Sequence, residues 1–199
     1  MYVEDLIVIS ARAEDIDSFK RNMVAHFQMS DLGALSYYLS IEVRQGKEAL
    51  TLGQSTYASK LLERSGMAEC KPSVTPMEEW LKLTKASIVA KVDATLYRTI
   101  IGGLHYVVHM SPNIVFIVGY VSRFMEDPRE DHWAAVKLLL RYVKGTMDQG
   151  IVFPKTNGSG LHLIVFSDAN MAGDIDERRS TSGVLVFLGS APISWQSLK

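Results

Sequence analysis

The chain has 199 residues, 47% hydrophobic and 22% charged, with a formal net charge of -1; this suffices for one substantial core or two small ones and gives no overall basic excess for holding nucleic acid. The single Cys70 excludes an intramolecular disulfide or a zinc site built on several cysteines, fits a reducing compartment and reads as an ordinary thiol. No run approaches the ~20 apolar residues of a membrane span, and the N-terminus lacks a secretory pattern, so a cytoplasmic or nuclear protein with no membrane association is expected.

Met1 is followed by Tyr2-Val3-Glu4-Asp5 and then by the apolar run Leu6-Ile7-Val8-Ile9, which predicts a short buried strand. Ile16, Phe19, Met23 and Phe27 then recur at helical spacing behind Glu14, Asp15 and Asp17, as in an amphipathic helix. From Leu35 to Arg44 apolar and polar residues alternate, which predicts one strand, and Gly46 with the run Ala49 to Leu52 completes a hairpin. Gln54 to Ser65 reads as a helix stopped by Gly66. Met67 to Lys91, with Pro72 and Pro76 and little periodicity, reads as a linker.

Three helices follow: one over Ala94 to His109, one starting near Pro112, and one starting after Asp127-Pro128 and ending near Gly145. Beyond Gly150 the period changes to that of strands, at Ile151 to Phe153, Leu161 to Phe166, Gly183 to Leu188 and Ile193 to Trp195. The expected division is residues 1–145, mixed α and β, and 146–199, an antiparallel sheet.

Six ordered blocks resemble the Pol polyproteins of Ty1/copia-type retrotransposons. They are YVEDLIVIS, FQMSDLGALSYYLSIEV from Phe27, LGQSTYASKLLERSGMAECKPSVTPM from Leu52, YRTIIGGLHYV from Tyr97, SRFMEDPREDHWAAVKLLLRYVKGT from Ser122 and FSDANMAGDIDERRSTSGVLVFLGSAPISWQS from Phe166. The resemblance implies an α+β chain: a partial reverse-transcriptase palm with helical thumb and connection over 1–145, then the incomplete antiparallel sheet of a ribonuclease H-like fold over 146–199. Leu39 and Ser40 would lie near the grip on the primer. Family partners are an RNA/DNA hybrid or primer-template, and the family cofactor is Mg2+ or Mn2+.

In that family two aspartates of a YVDD turn help to hold two divalent ions, which lower the pKa of the primer hydroxyl and stabilise developing charge. Glu4 and Asp5 match them, with the first carboxylate one methylene further out; taken alone they read as a polar pair at a strand turn. Asp168 matches the first metal aspartate of ribonuclease H, in a block written SDADWAGD in the family. The other palm aspartate and the ribonuclease H glutamate have no match here, so the expectation is vestigial metal ligands and no catalysis by this chain alone.

Other departures are Ser40 at a family glycine, Met110 to Ile114 in place of a TRPDI-like segment, and Asn170-Met171 in place of aspartate and tryptophan. Asp174, Asp176 and Glu177 read as a solvated acidic turn. Lys137, Arg141 and Lys144 along one helix, and Arg178 with Arg179, are candidate phosphate contacts or else a solvated helix face and a charged turn. His105 and His109, at i and i+4, read as packing or surface residues. Two further readings are a retained hybrid-binding module and an interaction fragment that pairs with an intact polymerase through an exposed strand edge at Leu6 to Ile9.

Overall fold

The computed structural model describes residues 6–156 and 161–199, and combines helices with two antiparallel sheets, the α+β class expected. A first helix, α1 (Ala13–His26), forms where the 3.6-residue period predicted it, yet it buries none of its residues. The strand expected at Leu6 to Ile9 does not form. Among the described residues no strand pairs with this run, and Leu6 and Ile9 are 54% and 88% exposed. Without a ladder partner the run's exposed backbone is left to water, so it stays irregular.

The alternating stretch also departs from expectation. It is two strands, β1 (Tyr37–Tyr38) and β2 (Ile41–Gln45), in an antiparallel hairpin whose register pairs Tyr38 with Ile41. Leu39 and Ser40 form the two-residue turn, both with positive φ, +46° and +60°. A tight hairpin turn of this hand favours Asn-Gly because only such residues enter the left-handed region cheaply. Alternation carried no mark of the turn, because neither residue is one that usually takes positive φ.

β2 continues through Gly46, whose N–H donates to Ala49 O at 2.8 Å, into β3 (Ala49–Gly53). β4 (Ile151–Pro154) then pairs antiparallel with β3, giving the order β1-β2-β3-β4. The strand expected at Ile151 therefore exists, but it joins the first sheet and not the C-terminal one, so this sheet draws on both sides of position 145. Long-range pairing of that kind leaves no trace in local periodicity.

Helix α2 (Ser55–Arg64) ends as predicted at Gly66, with φ +69°. Gly66 N–H donates to Glu63 O and Met67 N–H to Leu62 O, at 3.0 and 2.8 Å, the paired bonds that close a helix through a left-handed residue. Helix α3 (Ala94–Val107) starts on Asp93, whose carboxylate accepts from the N–H groups of Thr95 and Leu96. A single-turn 3-10 segment at Pro112–Ile114 leads into α4 (Val115–Val121), and α5 (Glu130–Thr146) follows. Helices α2 to α5 enclose the core, centred on Tyr97, Ile101, Leu104, Val118, Val136 and Leu139. Gly103 lets α3 approach α2 closely: a Cβ there would lie 2.4 Å from Leu61 Cδ1.

The predicted linker holds no named helix or strand, but it is fastened to the core. Leu83 is buried, its N–H donating to the Tyr120 hydroxyl at 2.8 Å, and Ser73 N–H donates to Arg141 O at 3.0 Å. The remaining strands, β5 (Leu163–Asn170), β6 (Thr181–Leu188) and β7 (Ala191–Leu198), form a separate antiparallel sheet in that order. β7 packs against α4, and the Trp195 indole donates to Val108 O at 2.8 Å. Every residue of the edge strand β5 is exposed.

Candidate functional site

Among the described residues, the expected site residues are distributed, not gathered. Glu4 and Asp5 lie outside the described residues. Asp168 projects from the exposed strand β5, opposite Gly183 in the ladder, and its Oδ1 accepts from Ala169 N–H at 2.8 Å. Among the described residues no three His, Cys, Asp or Glu side chains stand together as a metal site. Each Mg2+ ion takes about six oxygen ligands, of which the protein supplies one or two carboxylates and water or substrate phosphate the rest, so a two-ion site needs several carboxylates converging. The nearest acidic residues in sequence do not meet that need, because Asp174, Asp176 and Glu177 are already paired with cations, a hydroxyl and a backbone N–H. The donor set around Asp168 does not fit a two-ion centre.

That acidic turn is exposed at Asp176 and Glu177, as expected, but not at Asp174. Asp174 is buried, and the Lys199 ammonium beside it, with the Asp176 N–H and Arg123, holds its carboxyl below the usual range against the opposing effect of burial. Lys199 and Lys85 do the same for Glu177. The correction is tertiary in origin: the cations come from sequence positions 123, 85 and 199, which no local reading places nearby.

The candidate phosphate contacts divide into two groups. Lys137 and Arg178 are exposed, and Arg179 pairs with Glu177 at 3.3 Å. Arg141, by contrast, donates from Nε to Lys71 O at 2.8 Å, and the Lys144 ammonium donates to Ala68 O. These last two fasten the segment after α2 onto α5, a use of long basic side chains that helix spacing alone did not reveal. His105 Nε2 lies 2.9 Å from the Ser122 hydroxyl, and His109 packs edge-on against Tyr106, so the two histidines face different partners.

Leu39 and Ser40 occupy the turn between β1 and β2, and the Tyr106 hydroxyl from α3 donates to Leu39 O. Tyr106 in turn packs against Tyr57 of α2, with ring centroids 4.7 Å apart. Two structural residues of this corner escaped sequence reading. Glu42 on β2 accepts from Ser55 Oγ at 2.7 Å and from Thr56 N–H at 2.8 Å, so it caps α2 from a neighbouring strand. The Thr56 N–H, then the Ser55 hydroxyl, pull its carboxyl down to about 2. Gln54, which precedes the helix, is buried and donates to Tyr106 O. No helix of the described residues is long and apolar enough to cross a membrane.

Residues 1–79 match the family model for reverse transcriptase (RNA-dependent DNA polymerase). Over 199 residues the chain is 38% identical to the retrovirus-related Pol polyprotein from transposon RE2 of Arabidopsis thaliana, covering 100% of this chain and 14% of that protein. It is 36% identical over 206 residues to the Pol polyprotein from transposon TNT 1-94 of Nicotiana tabacum, covering 99% and 15%. An uncharacterized mitochondrial protein of Arabidopsis thaliana is 34% identical over 198 residues, covering 99% and 81%. No solved structure matches.

The chain belongs to the Ty1/copia-type retrotransposon Pol polyprotein family, its first 79 residues matching the reverse transcriptase. It spans about one seventh of the Pol polyproteins' length, 14% and 15% in the two compared above.

Proposed function

We propose that this chain is a segment of an RNA-directed DNA polymerase and ribonuclease H that does not catalyse either reaction by itself. On this reading residues up to β4 derive from the end of the palm, the thumb and the connection, and the β5–β7 sheet from the start of a ribonuclease H-like fold. The observation that carries the reading is that, among the described residues, no carboxylates gather with Asp168 into a metal site. Two-ion chemistry needs several of them converging on one point, whereas Asp174, Asp176 and Glu177 are held by groups of the chain itself. Mg2+ or Mn2+ would then bind only weakly. A test is extension of a labelled primer on an RNA template, with each ion, alongside cleavage of an RNA/DNA hybrid. No product above background is expected; extension abolished by Asp5→Ala, or cleavage abolished by Asp168→Asn, would overturn the reading.

A second reading, an interaction fragment that pairs with an intact polymerase, is favoured by one observation. The run 6–10, helix α1 and the residue after it expose Leu6, Ile9, Phe19, Val24 and Phe27, with no buried residue in the helix, and exposed apolar residues of this kind are a common basis for an interaction surface. The contact would be made by this irregular arm and helix rather than by a strand edge. Light scattering during size-exclusion chromatography tests it with an intact copia-type polymerase added; a single non-interacting monomer peak would end it. Hybrid binding has less support, because Arg141 and Lys144 are engaged internally.

A further inference from the structure

The β5–β7 sheet leaves β5 wholly exposed and sets β7 against α4 and β4. A polar network crosses the same junction. Asp174, with a side chain 5% exposed, touches the Lys199 ammonium just beyond β7 and lies 3.9 Å from Nη1 of Arg123, which is 14% exposed. Arg123 also donates to Thr181 Oγ1 at 3.1 Å, and its guanidinium sits 5.0 Å from the Tyr120 ring centroid. Glu177 meets Lys85 at 3.1 Å, Lys199 at 3.0 Å and Arg179 at 3.3 Å. Asp176 accepts from Thr84 Oγ1 at 2.6 Å and from Lys85 N–H at 2.9 Å.

The loop that supplies Thr84 and Lys85 is itself fastened to the helical core. Leu83 N–H donates to the Tyr120 hydroxyl of α4, and the ring Nε2 of His132, buried at the start of α5, lies 3.1 Å from Thr84 O. Three acidic side chains within four residues of sequence thus reach the loop at 83–85, Arg123 in the turn after α4 and the residue after β7. Isolated exposed ion pairs contribute little. Here Asp174, Arg123 and Lys199 are largely buried, and Glu177, though exposed, is shared among three cations, so removing one member leaves several partners unmatched.

We infer that the turn Asp174 to Glu177 is an ion-pair latch that holds the β5–β7 sheet on the helical core and opens at high ionic strength or in acid. The carboxyls of Asp174 and Glu177 are held below their ordinary range and the Lys199 ammonium above its own. Latching is therefore complete above the ordinary carboxylate range and lost as pH falls through the depressed values. Lys199 stays charged throughout that fall.

Hydrogen exchange of the full chain, read segment by segment at neutral pH, tests the latch. Raising NaCl to about 0.5 M, where screening reaches only a few ångströms, should lower amide protection across β6 and β7 about tenfold, while α3 and α5 keep theirs. Glu177→Gln and Asp174→Asn should do the same at low salt. Glu177→Lys should open the sheet further, and adding Lys85→Glu to it should restore part of the protection, which a packing role would not produce. If Asp174→Asn does not fold, Glu177→Gln and the charge exchange still decide. Protection in β6 and β7 unchanged by salt and by Glu177→Gln, or lost together with α3 and α5, would overturn the inference.

Discussion

Replacing Glu42 tests how a helix without a local cap is held. The residue before α2, Gln54, makes no side-chain cap bond, and the first turn carries no acidic residue. Glu42, 18% exposed, reaches across from β2 to accept from the Thr56 N–H and the Ser55 hydroxyl. Its carboxyl falls from 4.5 to about 2, which corresponds to roughly 3 kcal/mol at neutral pH. Losing a cap costs about 1 kcal/mol, and a charge-assisted hydrogen bond is worth about 1.5–3 kcal/mol, a consistent range.

Glu42→Gln should therefore lower unfolding stability by about 2–3 kcal/mol at about pH 7. Because the folded-state value is depressed, the wild-type advantage is present above 4.5 and shrinks as pH falls towards about 2. Urea unfolding followed by far-ultraviolet circular dichroism, repeated at intervals down to about pH 3, reads both effects. A gap below about 0.5 kcal/mol, or one that does not narrow in acid, would refute the charged cap.

Ser40→Gly should raise stability by about 0.5–1 kcal/mol in the same assay, since it relieves a left-handed residue at φ +60°. Gly103→Ala should cost about 1–3 kcal/mol, because its Cβ would press on the buried Leu61 side chain; chemical denaturation with an unchanged m-value is the check. Tyr97→Phe removes a buried hydroxyl that donates to Val121 O at 2.8 Å and should lower stability by about 1–2 kcal/mol. Burial holds that phenol above its ordinary range, so spectroscopic titration should show Tyr97 ionising only on unfolding.

The sequence alone determined whatever a few neighbouring residues decide. Gly66 after α2 marks a helix end through bonds within one turn, and Gly46 marks a hairpin whose strands adjoin in the chain. The six family blocks located the chain in a Pol polyprotein by side-chain identity, before any geometry. Tertiary structure decided the rest. Leu39 and Ser40 turn the chain at positive φ without a glycine or asparagine, and Tyr106 from α3 bonds to that turn.

β4 joined a strand about a hundred residues earlier, and Glu42 capped a helix on another element. The acidic turn found its cations at positions 85, 123 and 199. Hydrogen bonds and ion pairs depend on distance in space, whereas periodicity reports only neighbours along the chain. Helix ends could therefore be read from the residues beside them, and the partners of Asp174 could not.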